Sequence, residues 1–348
     1  MRRALRVLAA FALVAALAYG AAVAYFVGQI RTYPVLTHEA AFAEPALVAE
    51  FGLGGRRTPA AFGFPAYREE PYRSAPSGLR LGGWYVPARD TASRRAVVFV
   101  HGRPDNRLKA LKYLPLVRAA GLDSTHAAFL PDLRNSGTSA PGNVDMGLGF
   151  ADDLASTLEH LARRHGTRRV TVYAFSMGAL ATAMMLHRPD LRARLARAGV
   201  AVERVVMDSP LADAPGVLRL NAAQQGLPGA LTGGAVAAFD RTAAGGYLDS
   251  MRLGVLLRAV RVPVLIVQGG ADTATPLRYL RAEQPRFPPN VRVEVFAGAD
   301  HVKIVNHPRV AGAYARVVTD FLRRRPAAPA PAQPPPARGV LPAAPPSR

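Results

Sequence analysis

Residues 170–178 read Val-Thr-Val-Tyr-Ala-Phe-Ser-Met-Gly, an apolar run that stops at Ser176 just before a helix-forming stretch. A serine with small residues two positions away on each side, where a buried strand hands over to a helix, is the pattern of a nucleophile elbow. The turn is so sharp that bulky flanking side chains would clash. Here Ala174 and Gly178 flank it, so the motif is A-x-S-x-G rather than G-x-S-x-G. A serine hydroxyl is a weak nucleophile, so the rest of the chain must supply a base, an acid to orient that base, and donors for an oxyanion.

Around the elbow, short apolar runs alternate with helical patterns. Leu79–Val86 reads as an early, exposed strand, followed by runs at Ala96–Val100, Ala127–Leu130, Val170–Phe175, Val202–Met207, Val264–Val267 and Val291–Phe296. Continuous rather than alternating apolarity suits parallel strands covered on both faces. Leu154, Leu158 and Leu161 share one helical face, and Asp152 and Asp153 before them suit a helix N-terminus. Ala179–Leu186 continues the elbow as a helix, and Val310, Tyr314, Val317, Val318 and Phe321 mark an amphipathic C-terminal helix. The pattern predicts a doubly wound α/β fold with a mostly parallel sheet, whose ligands bind beyond the C-terminal strand ends. Residues 210–260 break the rhythm with glycines at 226, 229, 233–234 and 245–246, and are expected to form a small helical cap.

The order Ser, then acid, then His narrows the base. Of eight histidines only His187, His301 and His307 follow Ser176. His187 sits at the far end of the elbow helix, and His307 precedes Pro308 like a helix start. His301, in Gly298-Ala299-Asp300-His301, follows a strand and is the expected base. Asp272 lies in a Gly-containing loop one unit earlier and is the expected acid. Asp300 adjoins His301 and faces elsewhere, while Asp208 reads as a turn or cap residue. The oxyanion donors are expected from the backbone of Met177, after the nucleophile, and of Arg103, in the loop His101-Gly102-Arg103-Pro104-Asp105-Asn106. Gly102 lets that backbone approach substrate, His101 braces the loop, and Asn106 pins it.

The chain has 348 residues and no cysteine, which excludes disulfides, a cysteine nucleophile and cysteine metal sites. Its formal net charge of +20 comes from arginines scattered without aromatic clustering, so a nucleic-acid partner is not expected. Arg2, Arg3 and Arg6 precede an uncharged run from Val7 to Ile30, and Arg31 ends it. Twenty-four helical residues span about 36 Å against a hydrocarbon core of about 30 Å. Residues 1–30 are therefore read as a single-pass transmembrane anchor, its arginines cytoplasmic and the following domain outside. A cleaved signal peptide is the alternative, with Ala22-Val23-Ala24 as an A-x-A site and a secreted product. Residues 31–60 are expected to be a stalk, 61–325 the catalytic domain, and 326–348, with its dense prolines, an extended disordered tail.

The core at 65–324 resembles the α/β-hydrolase superfamily, and within it the membrane-anchored bacterial serine aminopeptidase-like and Bem46-like hydrolases. The resemblance rests on six segments in order. They are Ser77–Tyr85, the H-G-x-x-x-N loop at 101–106, Asp132–Ser139, the elbow, Gly270-Ala271-Asp272 with Pro276, and Gly298–His301. It implies an α/β-hydrolase fold and a serine hydrolase with the triad Ser176, Asp272 and His301, acting through an acyl-enzyme without metal or organic cofactor. Its substrate would be a small-molecule or lipid-like acyl compound, with ester cleavage expected ahead of peptide or amide cleavage. A hydrolase fold used only for binding is the non-enzymatic alternative.

Overall fold

The computed structural model describes residues 2–75 and 77–324. The proline-rich stretch 326–348 lies outside the described residues. Eight strands form one sheet in the order β1-β2-β4-β3-β5-β6-β7-β8. They are β1 (Arg68–Arg73), β2 (Arg80–Val86), β3 (Arg95–Val100), β4 (Ala127–Asp132), β5 (Arg169–Phe175), β6 (Ala201–Asp208), β7 (Val264–Gly269) and β8 (Val291–Phe296). Only β2 runs against its neighbours, β1 and β4; the pairs from β4 through β8 are parallel.

The continuous apolar runs have a direct explanation. Val98, Val100, Val170, Val172 and Ala174 enter one buried cluster, and their alternates Val97, Phe99, Tyr173 and Phe175 enter another. Each face of the sheet has its own core, so both sets of alternate side chains must be apolar. On the first face lie the helices Leu148–His165 and Met177–His187; on the second lie the helix Ala311–Arg323 and the segment around Leu108–Val117.

Five sequence expectations change here. The strand β1, Arg-Glu-Glu-Pro-Tyr-Arg, was not expected, because its charges and Pro71 mask a strand whose proline is tolerated at a sheet edge. The strand β2 is largely buried rather than exposed, and β8, at the other edge, is half-exposed rather than covered on both faces. Asp152 and Asp153 do not open their helix, which starts at Leu148. Both are buried partners of arginines instead, Asp153 holding Arg134 at 2.8 Å and Asp152 holding Arg188 at 3.1 Å. The expected stalk is part of the body: Tyr33, Ala41, Phe51, Leu53 and Pro59 are buried. Lys109 Nζ donates to Glu50 Oε1 at 3.0 Å, and Leu36 O accepts from Asn106 Nδ2 and from the backbone N–H of Gly137.

The N-terminal helix Arg2–Arg31 is, among the described residues, the one long and apolar enough to cross a membrane. Its residues 2–21 are exposed, whereas Phe26 and Ile30 are buried against the body. Its partner there is chiefly the helix Gly229–Phe239 of the insertion between β6 and β7, with a smaller contact to the turn Asp145–Gly147. Tyr19 Oη donates to Ala230 O at 3.0 Å.

Candidate active site

At the C-terminal end of β5, Ser176 has φ 51° and ψ −121°, a conformation that a non-glycine residue adopts only at a cost of about 1–3 kcal/mol. Its N–H donates to Asp208 O at 3.0 Å, which ties the turn to β6. A Cβ on Gly178 would lie 2.5 Å from Val100 O, so the elbow helix starts against β3 only because that position is glycine. The other flanking position is buried within β5 and holds the Ala174 methyl, which is why the imperfect motif still makes the turn.

The loops after β7 and β8 bring the next two groups together. Asp272 is buried and saturated with donors. Thr275 N donates to its Oδ1 at 2.7 Å, and Oδ2 accepts from Gln268 Nε2 at 2.9 Å, Thr275 Oγ1 at 2.9 Å and His301 Nδ1 at 2.8 Å. A carboxylate accepting at Nδ1 fixes the proton there and leaves the lone pair on Nε2. His301 and Ser176 line one cavity of about 300 Å³ with Met177, Arg103, Leu218 and Asn221. Among the described residues, no hydrogen bond joins Ser176 Oγ to His301.

A second, buried layer holds the His301 loop. Val302, at φ 51°, donates its N–H to Ser209 Oγ at 3.0 Å and accepts at its carbonyl from Lys112 Nζ at 3.0 Å. Ser209 donates to Asp208 Oδ1, and Tyr314 Oη donates to Asp208 Oδ2 at 2.6 Å. Burial raises the pKa of Asp208 despite those donors, and burial, helped by Lys109, pushes Lys112 down to about 8. Asp208 thus sits in the network behind the His301 loop rather than on the imidazole.

Met177 opens the helix Met177–His187, where the first backbone N–H groups have no intrahelical acceptor. The loop 101–106 comes alongside: a Cβ on Gly102 would lie 2.8 Å from Ser176 Cβ. His101 is buried, and its Nε2 accepts from Leu133 N at 2.9 Å while Nδ1 faces Gly102 O at 2.8 Å. It is therefore a neutral Nδ1–H imidazole, consistent with the downward pKa shift that burial imposes. Asn106 accepts from Leu108 N at 3.0 Å and caps the short helical segment after it. The Arg103 guanidinium points to the N-terminal helix, donating to Gln29 O at 2.5 Å and Thr32 O at 3.2 Å.

The remaining candidates lie elsewhere. His187 faces Leu256 O, and Asp300 pairs with Lys303 at 2.9 Å. His307 accepts from Arg309 N. Sequence reasoning missed Thr275 and Gln268 as partners of Asp272, though Thr275 stands in the same loop and Gln268 at the end of the strand before it. It also missed Glu70, His160 and His165, whose ligand atoms lie within 4.8 Å of one another, remote in sequence. Both Nε2 atoms face Glu70 Oε2 at 2.9 Å, and Arg68 Nη2 faces His165 Nδ1 at 3.3 Å. With Arg68 donating to Nδ1, the His165 proton is on Nε2, so that nitrogen has no lone pair for a metal. Burial opposes ionisation of Glu70, but hydrogen bonds from His160, His165 and Arg68 win and hold its pKa well below the usual range.

Residues 97–317 match the alpha/beta hydrolase family, and the chain belongs to it. The match is to the broad family and singles out neither the serine aminopeptidase-like nor the Bem46-like group. No curated protein matches the chain. Among solved structures it is similar to the Pyrococcus furiosus esterase Pf2001, with a TM-score of 0.57 and 21% identity over 78% of this chain and 95% of that one. The hydrolase GrgF from Penicillium sp. sh18 has a TM-score of 0.52 and 16% identity, over 75% of this chain and 99% of that one. Est1E from Butyrivibrio proteoclasticus, solved with ferulic acid, has a TM-score of 0.53 and 15% identity, over 73% and 97%. Likeness at these identities establishes the shared fold.

Proposed function

We propose that the chain is a serine hydrolase that cleaves a carboxylic ester or related acyl bond. His301 Nε2 takes the proton from Ser176 Oγ as the oxygen attacks the carbonyl carbon. The backbone N–H groups of Met177 and Arg103 stabilise the oxyanion, and Asp272 holds the imidazole and stabilises its protonated form. The tetrahedral adduct collapses, the alkoxide leaves with the proton from His301, and the acyl group stays on Ser176. Water, deprotonated by His301, then attacks the acyl-enzyme and regenerates the serine. The chemistry requires no metal or organic cofactor.

The observation that supports this reading most is the 2.8 Å Asp272–His301 bond beside a strained elbow serine in one cavity. The N-terminal helix is read as a retained anchor, with Arg2, Arg3 and Arg6 in the cytoplasm and the hydrolase domain on the other side. The test is labelling with a fluorophosphonate, beside a p-nitrophenyl ester series and an aminoacyl-nitroanilide. Wild type is expected to be labelled and to cleave esters in preference to the anilide. Ser176→Ala is expected to abolish labelling, and loss of either Ser176 or His301 to lower kcat by on the order of 10⁶-fold. A folded but unlabelled wild type would overturn the proposal.

A further inference from the structure

Next to the Ser176 cavity lies a second one of about 270 Å³, walled on one side by the N-terminal helix. Phe26 and Ile30 from that helix face Leu218, Leu227 and Leu231 from the insertion. Arg103, Leu218 and Asn221 line both cavities, so the two share a wall built by the oxyanion loop and the insertion. The Arg103 guanidinium, bound to Gln29 O and Thr32 O, fastens that wall to the end of the helix.

The height of the second cavity follows from the helix. A hydrocarbon core of about 30 Å is crossed by roughly twenty helical residues. Counted from Val7, the first residue after the arginines, that stretch ends near Phe26. Contact with the insertion already begins at Tyr19, where its hydroxyl meets Ala230. The helix Gly229–Phe239 therefore lies beside the last two turns of the crossing stretch, at the depth of the acyl chains. Its sequence fits that position: no charged residue occurs between Arg219 and Asp240 in a chain that is 20% charged. Tyr25, exposed, stands at the end of that stretch, the level where an amphipathic ring favours a membrane boundary.

We propose that the N-terminal helix and the β6–β7 insertion form a lateral passage that carries the acyl chain of a bilayer ester lipid from the membrane to Ser176. The inference rests on the serine-hydrolase reading above and specifies its substrate class. The helix is then one wall of the substrate site as well as an anchor. The chain lies in the outer cavity with its ester carbonyl at the elbow.

The test uses the full chain reconstituted in phosphatidylglycerol vesicles, with 4-methylumbelliferyl oleate in the bilayer and 4-methylumbelliferyl acetate in the water. Leu231→Trp fills the outer cavity without lining the Ser176 cavity. It is expected to lower the oleate-to-acetate ratio of kcat/KM at least tenfold, whereas Leu231→Ala keeps the ratio within about threefold. Fluorophosphonate labelling shows that each variant is folded. If Leu231→Trp is not labelled, the same comparison is made with Gln225→Trp at the exposed edge of the cavity. An unchanged ratio in a labelled variant overturns the passage and leaves the hydrolase intact. A wild type that cleaves neither ester and takes no label overturns the hydrolase reading itself. Oleate ester delivered from albumin in water is expected to react more slowly than ester in the enzyme's own bilayer; an equal or faster rate overturns the membrane source.

Discussion

Thr275 shows how a single side chain can matter through the groups it holds. Its backbone N–H and its hydroxyl both donate to Asp272, and the hydroxyl stands 3.2 Å from His301 Nδ1. Thr275→Val keeps the shape and removes one donor to a buried carboxylate. A hydrogen bond to a charged group contributes about 1.5–3 kcal/mol, so kcat is expected to fall roughly ten- to hundredfold. Steady-state kinetics on a short ester would check this, and an unchanged kcat would show that the remaining donors suffice. Ser176, Asp272 and His301, the proposed triad, stand out in the sequence because each follows an apolar run in the required order. Thr275 and Gln268 could not, because their role depends on the loop folding back on itself. Lys112 is further from reach: it meets Val302 O across 190 positions, and nothing local marks it.

At the scale of elements, the central strands were legible because burial on both faces leaves a continuous apolar run. The edges were not, since β1 reads as charged and β8 is half-covered. The same burial sets an acid limit through His126, just before β4. Burial, with Arg95 and Arg204 nearby, pushes its pKa from 6.5 to about 4. Between those values the unfolded chain binds a proton that the folded one does not. Stability from this group is therefore complete above about 6.5 and lost as pH falls toward 4, by up to about 3 kcal/mol. Urea unfolding at pH 7 and pH 4.5 should show a smaller acid loss in His126→Phe than in wild type. An equal loss in both would place the acid sensitivity elsewhere.

For the whole molecule, a helix long and apolar enough to cross a membrane was legible from length and charge alone, and the segment after it was not. Residues 31–60 show no hydrophobic period, because Phe51 and Leu53 reach the core from short turns rather than from a long amphipathic element. That segment is clamped by Glu50 and Leu36 to the loops beside the elbow. A free linker of thirty residues would let the domain wander about 30 Å from its anchor. A clamped one gives it almost no reach. With the helix in a bilayer, the catalytic centre patrols a sheet rather than a volume, and what it meets is set by crowding in the plane. Its rate on a lipid ester is then expected to follow the surface mole fraction of that ester, and to stay constant when ester and vesicle lipid are diluted together. Diluting the ester with inert lipid at fixed bulk concentration would check this, the rate falling in proportion; a rate that followed bulk concentration alone would show that the domain works free of the surface.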